Sequence, residues 1–412
     1  MSIYACGVFI TLVIIFYGGT WIFAHLNRTD SGSERGRHHE ETRPQKWTKE
    51  DITPLTRLMD VNTPSEDGRY TLYRGKNVFH VETSIDTGLQ NYITNLLNRS
   101  LTHNAAVVVM KPDNGQILAL VNHGNGPANQ SENLCLKAAF PAASLFKIVS
   151  AAAAIEARGF RPEKSLAYRG RNYTLYRSQL TRKKGRYTTK VSFKKACSKS
   201  INPVFGKMGI YDLGRVLMEE YAGKFLFNRN IPFDMPLEMS RIQIADDDFA
   251  LAEIASGFNK RTLISPLHAA LITSAIANGG KMMTPWFVKR VRDDTGHILY
   301  HVHPAEIVQP IKAETASTLR ILMNETVRNG TVRKSFRSLL RRKQFKDVEF
   351  GAKTGTINDR LDKFKFDWVT AYALPKTGRG GICLTTLAIH GEKLGIRARD
   401  IARLIIKNHF TS

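Results

Sequence analysis

Residues 141–155 read P-A-A-S-L-F-K-I-V-S-A-A-A-A-I, and no other stretch so narrows what the chain can fold into. Leu145 to Ile155 contains no Gly or Pro and is rich in helix formers, while Pro141 and the small residues after it suit a loop running into that helix. Helical spacing puts Ser144 and Lys147 three apart on one face, so the amine can reach the hydroxyl. A serine near a helix N-terminus also sits where free N–H groups and aligned peptide dipoles favour developing negative charge. Those are conditions under which a weak nucleophile can attack a carbonyl. The same residues would also serve as a cap ahead of a core helix, so S-x-x-K alone does not decide.

Ser192 and Lys195 repeat the spacing, but inside T-R-K-K-G-R-Y-T-T-K-V-S-F-K-K, with no apolar helix to bury a lysine. Two further motifs distinguish Ser144. Ser200-Ile201-Asn202 lies in K-A-C-S-K-S-I-N-P-V-F, and Lys353-Thr354-Gly355-Thr356 lies in F-G-A-K-T-G-T. S-x-x-K, S-x-N and K-T-G in that order are the signature of penicillin-binding enzymes. Two lookalikes fall away. Ser131-Glu132-Asn133 precedes Ser144, and Lys376-Thr377-Gly378 sits between two apolar runs, where it reads as a hairpin turn.

From about Val81 to Phe410 the chain resembles the serine transpeptidase domain of penicillin-binding proteins. The likeness extends to S-I-D-T-G-L-Q ahead of the first helix and to A-V-V-V-M-K-P-D-N-G-Q-I-L-A-L as a first hairpin. It includes L-I-S-P-L-H-A-A-L-I-T-S-A-I-A-N-G-G before the last strands, and F-D-W-V-T-A-Y-A after K-T-G. The resemblance implies an α+β fold of the β-lactamase/transpeptidase type, a three-layer α/β/α sandwich. Its antiparallel sheet is flanked by helices and carries an inserted helical lobe.

The resemblance also implies roles. Ser144 would attack the penultimate D-Ala carbonyl of a peptidoglycan stem peptide, and Lys147 would take its proton. Ser200 would relay a proton to the leaving amine, and Asn202 would hold the donor peptide. Lys353 and Thr354 would face the substrate carboxylate, or that of a β-lactam, beside Gly355. The N–H groups of Ser144 and Thr356 would form the oxyanion hole. Trp368 is read as core, a wall of the site by analogy only. No metal or other cofactor is implied. An ordinary lysine, with a pKa of about 10.4, is charged at neutral pH, so Lys147 needs desolvation or a neighbouring cation such as Lys353 to act as a base.

With 60 Lys and Arg against 36 Asp and Glu, the net charge is +24. That favours anionic surroundings. No zinc spacing, RNA-binding aromatic signature or helix-turn-helix supports nucleic acid. Ile3 to Ala24 is 22 consecutive uncharged residues, long enough to span a bilayer and without a convincing cleavage site, so a retained anchor is expected. Arg28, Arg35, Arg37 and Arg43 follow it, which by the positive-inside rule would hold the body in the cytoplasm. The catalytic motifs place their substrate outside, and they are given precedence. The expected protein is a single-pass protein of the cytoplasmic membrane with its catalytic domain on the periplasmic side. The expected domains are 1–26 anchor, 27–78 linker and connector, and 79–412 transpeptidase. The cysteines at 6, 135, 197 and 383 make no framework, although a Cys135–Cys197 bridge is open in an oxidising compartment.

Thr87-Gly88-Leu89-Gln90 fits a capping box before a helix with Leu89, Ile93, Leu96 and Leu97 on one face. Pro112-Asp113-Asn114-Gly115 is a strong turn between two strands. Ser265 to Ala277 and Ile311 to Val327 read as helices, and three late strands precede a last helix from about Gly395 to Lys407. Basic runs at Arg177–Lys195 and Arg328–Lys346 read as a solvated face, or as contacts to lipid head groups or a pyrophosphate.

The chain leaves no room for a glycosyltransferase domain, so a monofunctional transpeptidase is the first reading. A D,D-carboxypeptidase, in which water takes the acyl group, shares the same motifs. The chain has no E-x-x-L-N to position a deacylating water, which argues against a β-lactamase. A non-catalytic penicillin sensor or scaffold among cell-wall synthesis proteins is the reading from another class.

Overall fold

The computed structural model describes residues 46–411, apart from 63–64, 66, 125–132, 183–184, 246, 360 and 378–379. The expected anchor lies outside the described residues. Among those described, no helix is long and apolar enough to cross a membrane.

The expected connector is itself structured. Helix α1 (Lys49–Thr56) is followed by strands β1 (Arg69–Arg74) and β2 (Asn77–Thr83). Ile52 and Leu55 of α1 are buried, and Lys49 reaches the fully buried Asp234 at 2.7 Å. The second Asp234 oxygen accepts the N–H groups of Phe287 and Val288 at 2.7 and 2.8 Å. Residues 46–62 are thus clamped onto the body.

Helix α2 (Thr87–Asn98) buries Leu89, Ile93 and Leu97. Its cap is Asp86, whose carboxylate accepts the Leu89 N–H at 2.9 Å, and not the Thr87 box read from sequence. The stronger acceptor one residue earlier wins the N-cap position. Strands β3 (Asn104–Met110) and β4 (Ile117–Gly124) follow, joined by the expected Pro-Asp-Asn-Gly turn. Downstream, β5 (Val288–Asp293) and β6 (Ile298–His301) complete a small sheet in the order β1-β2-β5-β6. The strands β7 (Val348–Asn358), β8 (Lys365–Pro375) and β9 (Ile382–His390) join the early pair in the central sheet, ordered β7-β8-β9-β3-β4 and antiparallel throughout. The two ends of the chain meet where β9 pairs with β3, Leu384 opposite Val109.

Period-two alternation sorts that sheet between two cores. Ala105, Val107 and Val109 face α2 and the last helix, Ala398–His409, with its buried Ile401, Ile405 and Ile406. Ala106, Val108 and Met110 face the other way, onto Leu267, Leu271 and Ala275 of the helix Pro266–Ala277. That helix is apolar all round, as a helix covered on every side must be. Helix, sheet and helix therefore form three layers.

Between β4 and β7 the chain leaves the sheet for a mainly helical lobe: α3 (Lys147–Arg158), α4 (Phe193–Ser198), α5 (Asn202–Met208), α6 (Gly214–Lys224) and α7 (Asp248–Ser256). After it come α8 (Pro266–Ala277), capped by Ser265, then α9 (Ala313–Arg328) and α10 (Arg333–Leu340), with α11 (Ala398–His409) last. Cys135, Cys197 and Cys383 are buried free thiols, so the bridge between the first two does not form.

Candidate active site

Ser144 does not begin an α-helix. It sits in a 3₁₀ turn, Ala143–Phe146, and α3 starts at Lys147. The turn is held from both sides. Phe140 and Pro141 pair with Ile264 and Leu263, and the Trp368 indole N–H donates to the Pro141 carbonyl at 3.0 Å. Trp368 is thus fully buried and supports the turn. Ala143 has φ 48°, left-handed backbone that a non-glycine residue enters only when its surroundings impose it. Gly257, at the end of α7, lies so close that a Cβ there would stand 1.9 Å from the Ala143 carbonyl oxygen. Of residues 141–150, Ser144 alone is not buried.

Lys147 is wholly buried, and its Nζ lies 2.7 Å from Ser144 Oγ and 2.8 Å from Asn202 Oδ1, with the Ser256 carbonyl oxygen as third neighbour. Burial, and then the charge of Lys353, drives the Lys147 amine well below the ordinary lysine range. Burial brings Lys353 down only to about 8. Of the two amines, Lys353 is therefore the one that holds a proton more readily, and Lys147 the one more readily neutral. A neutral amine has two N–H donors and one lone pair. The Asn202 Nδ2 donates to the Tyr173 carbonyl at 3.1 Å, which turns Oδ1 toward Lys147. Asn202 Oδ1 and Ser256 O can only accept, so they take both N–H groups. In the neutral form the lone pair is left for Ser144, whose hydroxyl can then donate to it; the ammonium form donates to the Ser144 oxygen instead.

Ser200 occupies the bend between α4 and α5. Its N–H bonds to the Cys197 carbonyl and that of Ile201 to the Ala196 carbonyl, the pair of bonds that closes a helix with a left-handed residue. Ser200 takes that conformation, φ 53°, where glycine is usual. Its Oγ is thereby placed 3.0 Å from Lys353 Nζ, which also donates to the Thr354 carbonyl at 2.7 Å. Lys353 to Thr356 lie on β7, an edge strand of the central sheet. A Cβ on Gly355 would be 3.2 Å from the Ala143 Cβ and 3.4 Å from the Ser144 nitrogen, so the strand backbone rests against the nucleophile turn. All eight site residues read from the three motifs come together.

Five of them, Ser144, Ser200, Asn202, Thr354 and Thr356, open onto a cleft of about 430 Å³, which is also lined by residues outside the three motifs, among them Tyr173, Phe258, Thr331, Asp367, Arg397 and Arg399. Thr331, just after α9, accepts no local pattern as its signal. Its N–H meets the Ser198 carbonyl at 3.2 Å and its hydroxyl meets that of Thr354 at 2.8 Å, so it ties the S-x-N bend to β7. Asp367, opposite Thr356 in the sheet, pairs with Arg397 at 2.6 Å. Burial alone would raise its carboxyl. The His390 imidazole at 3.7 Å, the Arg397 guanidinium and the Ala398 N–H outweigh burial and hold it at about 2. Among the described residues no group of His, Cys, Asp and Glu could hold a metal ion.

A hydroxyl 2.7 Å from a buried lysine amine, beside an edge strand that carries a second buried lysine, makes a site suited to serine acyl transfer on a three-layer sandwich. The chain belongs to the penicillin binding protein transpeptidase domain family, whose model matches residues 105–377. It is 24% identical over 294 residues to stage V sporulation protein D of Bacillus subtilis, covering 68% of this chain and 44% of that one. It is 28% identical over 211 residues to the peptidoglycan D,D-transpeptidase PbpA of Mycobacterium tuberculosis, covering 44% and 42%. It spans about half or less of the length of the curated relatives it matches. The imipenem acyl-enzyme complex of penicillin-binding protein A from M. tuberculosis superposes with a TM-score of 0.65 at 22% identity, covering 79% of this chain and 78% of that one.

Proposed function

We propose that this protein is a peptidoglycan D,D-transpeptidase that works through an acyl-enzyme on Ser144. The observation that carries the reading is the buried Lys147 Nζ at 2.7 Å from the Ser144 hydroxyl, in surroundings that lower the pKa of the amine. Lys147 takes the proton as Oγ attacks the carbonyl of the penultimate D-Ala, general-base help of about 10²–10⁴-fold. The Ser144 and Thr356 N–H groups receive the oxyanion, and Lys353 with Thr354 holds the terminal carboxylate. Ser200, hydrogen-bonded to Lys353, passes a proton to the leaving amine, and an acceptor amine then takes the acyl group. A β-lactam enters by the same route and stays bound.

The family, the relative described as a D,D-transpeptidase and the acyl-enzyme form of a structural neighbour all support this reading. The uncharged run Ile3 to Ala24 supports a membrane anchor, and the chemistry of the substrate supports an extracytoplasmic catalytic domain, within reach of other cell-wall synthesis proteins. A fluorescent penicillin should label the full chain stoichiometrically and Ser144→Ala not at all; a labelled Ser144→Ala protein would end this reading. Adding an amine acceptor to a stem-peptide assay separates transfer from hydrolysis.

A further inference from the structure

The helical lobe carries an aromatic pocket that the proposed chemistry does not use. Between α3 and α4 the chain presents three tyrosines to solvent, Tyr173, Tyr176 and Tyr187, which are 62%, 62% and 76% exposed. Large rings gathered in the open mark a binding surface more often than a packing one. Tyr176 and Tyr187 line a pocket of about 480 Å³ together with Arg169, Arg171, Thr174 and Ser178, and among the described residues no carboxylate lines it. One buried side chain holds its wall. Gln179 donates to the Arg169 carbonyl and to the Thr174 hydroxyl, both at 3.0 Å, and accepts the Tyr176 N–H at 2.9 Å. Gly170, at φ +77°, passes so close that a Cβ there would stand 2.4 Å from the Gln179 amide nitrogen. The pocket also adjoins the cleft. Tyr173 lines the cleft, and the next residue, Thr174, lines the pocket. Asn202 Nδ2 donates to the Tyr173 carbonyl at 3.1 Å, and Asn202 Oδ1 lies 2.8 Å from the Lys147 amine, so the wall between pocket and cleft is tied to the catalytic groups.

We propose that this pocket is a saccharide subsite, which holds the glycan backbone of the polymer whose stem peptide enters the cleft. The inference rests on the transpeptidase reading, because it needs the sugar chain that bears the peptide to pass this wall. The C–H face of a pyranose ring stacks on a tyrosine, while its hydroxyl and acetamido oxygens accept from arginine N–H groups and from the hydroxyls of Thr174 and Ser178. An uncharged backbone calls for rings and donors, and those are what line the pocket. The three motifs handle the peptide; the lobe would hold the strand that carries it.

The test uses the full chain in detergent and an uncharged tetramer of β-1,4-linked N-acetylglucosamine, with binding read by calorimetry at low and at high salt. The dissociation constant should be about 1 mM or tighter and indifferent to salt. Tyr176→Ala and Tyr187→Ala should each weaken binding roughly fivefold, the loss expected of one aromatic contact, and Tyr176→Phe should keep it. Arg171→Gln should weaken it severalfold through the lost donors. Three outcomes each overturn the subsite: no binding, an affinity that survives both tyrosine-to-alanine changes, or a preference for oligodeoxythymidylate with the steep salt dependence of a polyanion. Fluorescent penicillin is applied to the same preparation of the unaltered chain. If it fails to label Ser144, the transpeptidase reading falls first; a labelled protein that ignores the tetramer removes the saccharide subsite alone.

Discussion

At the scale of single residues the site sets two buried amines beside the nucleophile and lowers the pKa of Lys147 further than that of Lys353. Lys147 and Lys353 are both out of water, and two ammonium groups there would repel each other. The three neighbours of Lys147 are oxygens, two of which can only accept, so a neutral amine satisfies them and still has a lone pair for Ser144. Opposite pH limits follow. Acidification protonates Lys147 and removes the base, so acylation falls as pH drops through its depressed pKa. Raising the pH through about 8 discharges Lys353 and loosens its hold on the carboxylate. The second-order rate of penicillin acylation should therefore be bell-shaped, with its alkaline limb near pH 8, well below the ordinary lysine range. Lys147→Ala should lower that rate by about 10²-fold or more. A rate still rising past pH 10 would assign the wrong amine to the charge.

At the scale of elements, the site is the meeting of the 3₁₀ turn, the α4–α5 bend and the edge strand β7, and glycines set how closely they meet. Gly257 is the tightest case. Its φ of +63° already favours glycine, and a methyl group there would overlap the Ala143 carbonyl. Gly257→Ala is expected to push the turn away from α7, pulling Ser144 from Lys147, whose third partner is the adjacent Ser256 carbonyl. Penicillin acylation should fall at least tenfold while the far-ultraviolet circular dichroism stays that of the folded chain; an unchanged rate would show that the turn adjusts freely. The same elements show what a sequence can disclose. Ser144, Lys147, Ser200, Asn202 and Lys353 were legible because each belongs to a short motif whose spacing is fixed by one helix, bend or strand. Thr331, Asp367, Arg397 and Arg399 were not, because they reach the cleft from three further elements, the segment after α9, strand β8 and the start of α11, and a threonine or arginine carries no local pattern that says where it points. The helix that begins at Thr87 was legible from its apolar face, but its cap was misplaced by one residue, since Asp86 and Thr87 both suit the position and only the bond to Leu89 N–H decides.

At the scale of the whole molecule, the central sheet joins early and late strands of the domain, and the small sheet repeats that closure, with β2 of the β1–β2 hairpin pairing onto β5. The basic run after α9 stays on the surface: Arg333, Lys334, Arg337, Arg341, Arg342 and Lys343 are all exposed, a solvated cationic face in keeping with the net charge of +24. Residues 46–62 fall in the stretch 27–78 read from sequence as linker and connector, yet their buried Ile52, Leu55, Met59 and Val61 and one ion pair make them part of the body. Lys49 meets Asp234 at 2.7 Å and the Pro285 carbonyl at 2.8 Å, and Asp234 is completely buried. A cation and two backbone N–H groups meet that buried carboxylate. Lys49→Ala takes away the cation and leaves the charge, a loss of about 3 kcal/mol for a buried pair, moderated here because the lysine is partly exposed. The urea midpoint should fall with the slope of the transition unchanged, as expected for a cooperative body that includes α1. Replacing both partners, with Lys49→Met and Asp234→Asn together, should recover part of that loss, because no bare charge then remains inside. If Lys49→Ala left the midpoint where it was, α1 would be a passive attachment, and the tether would extend through it to β1.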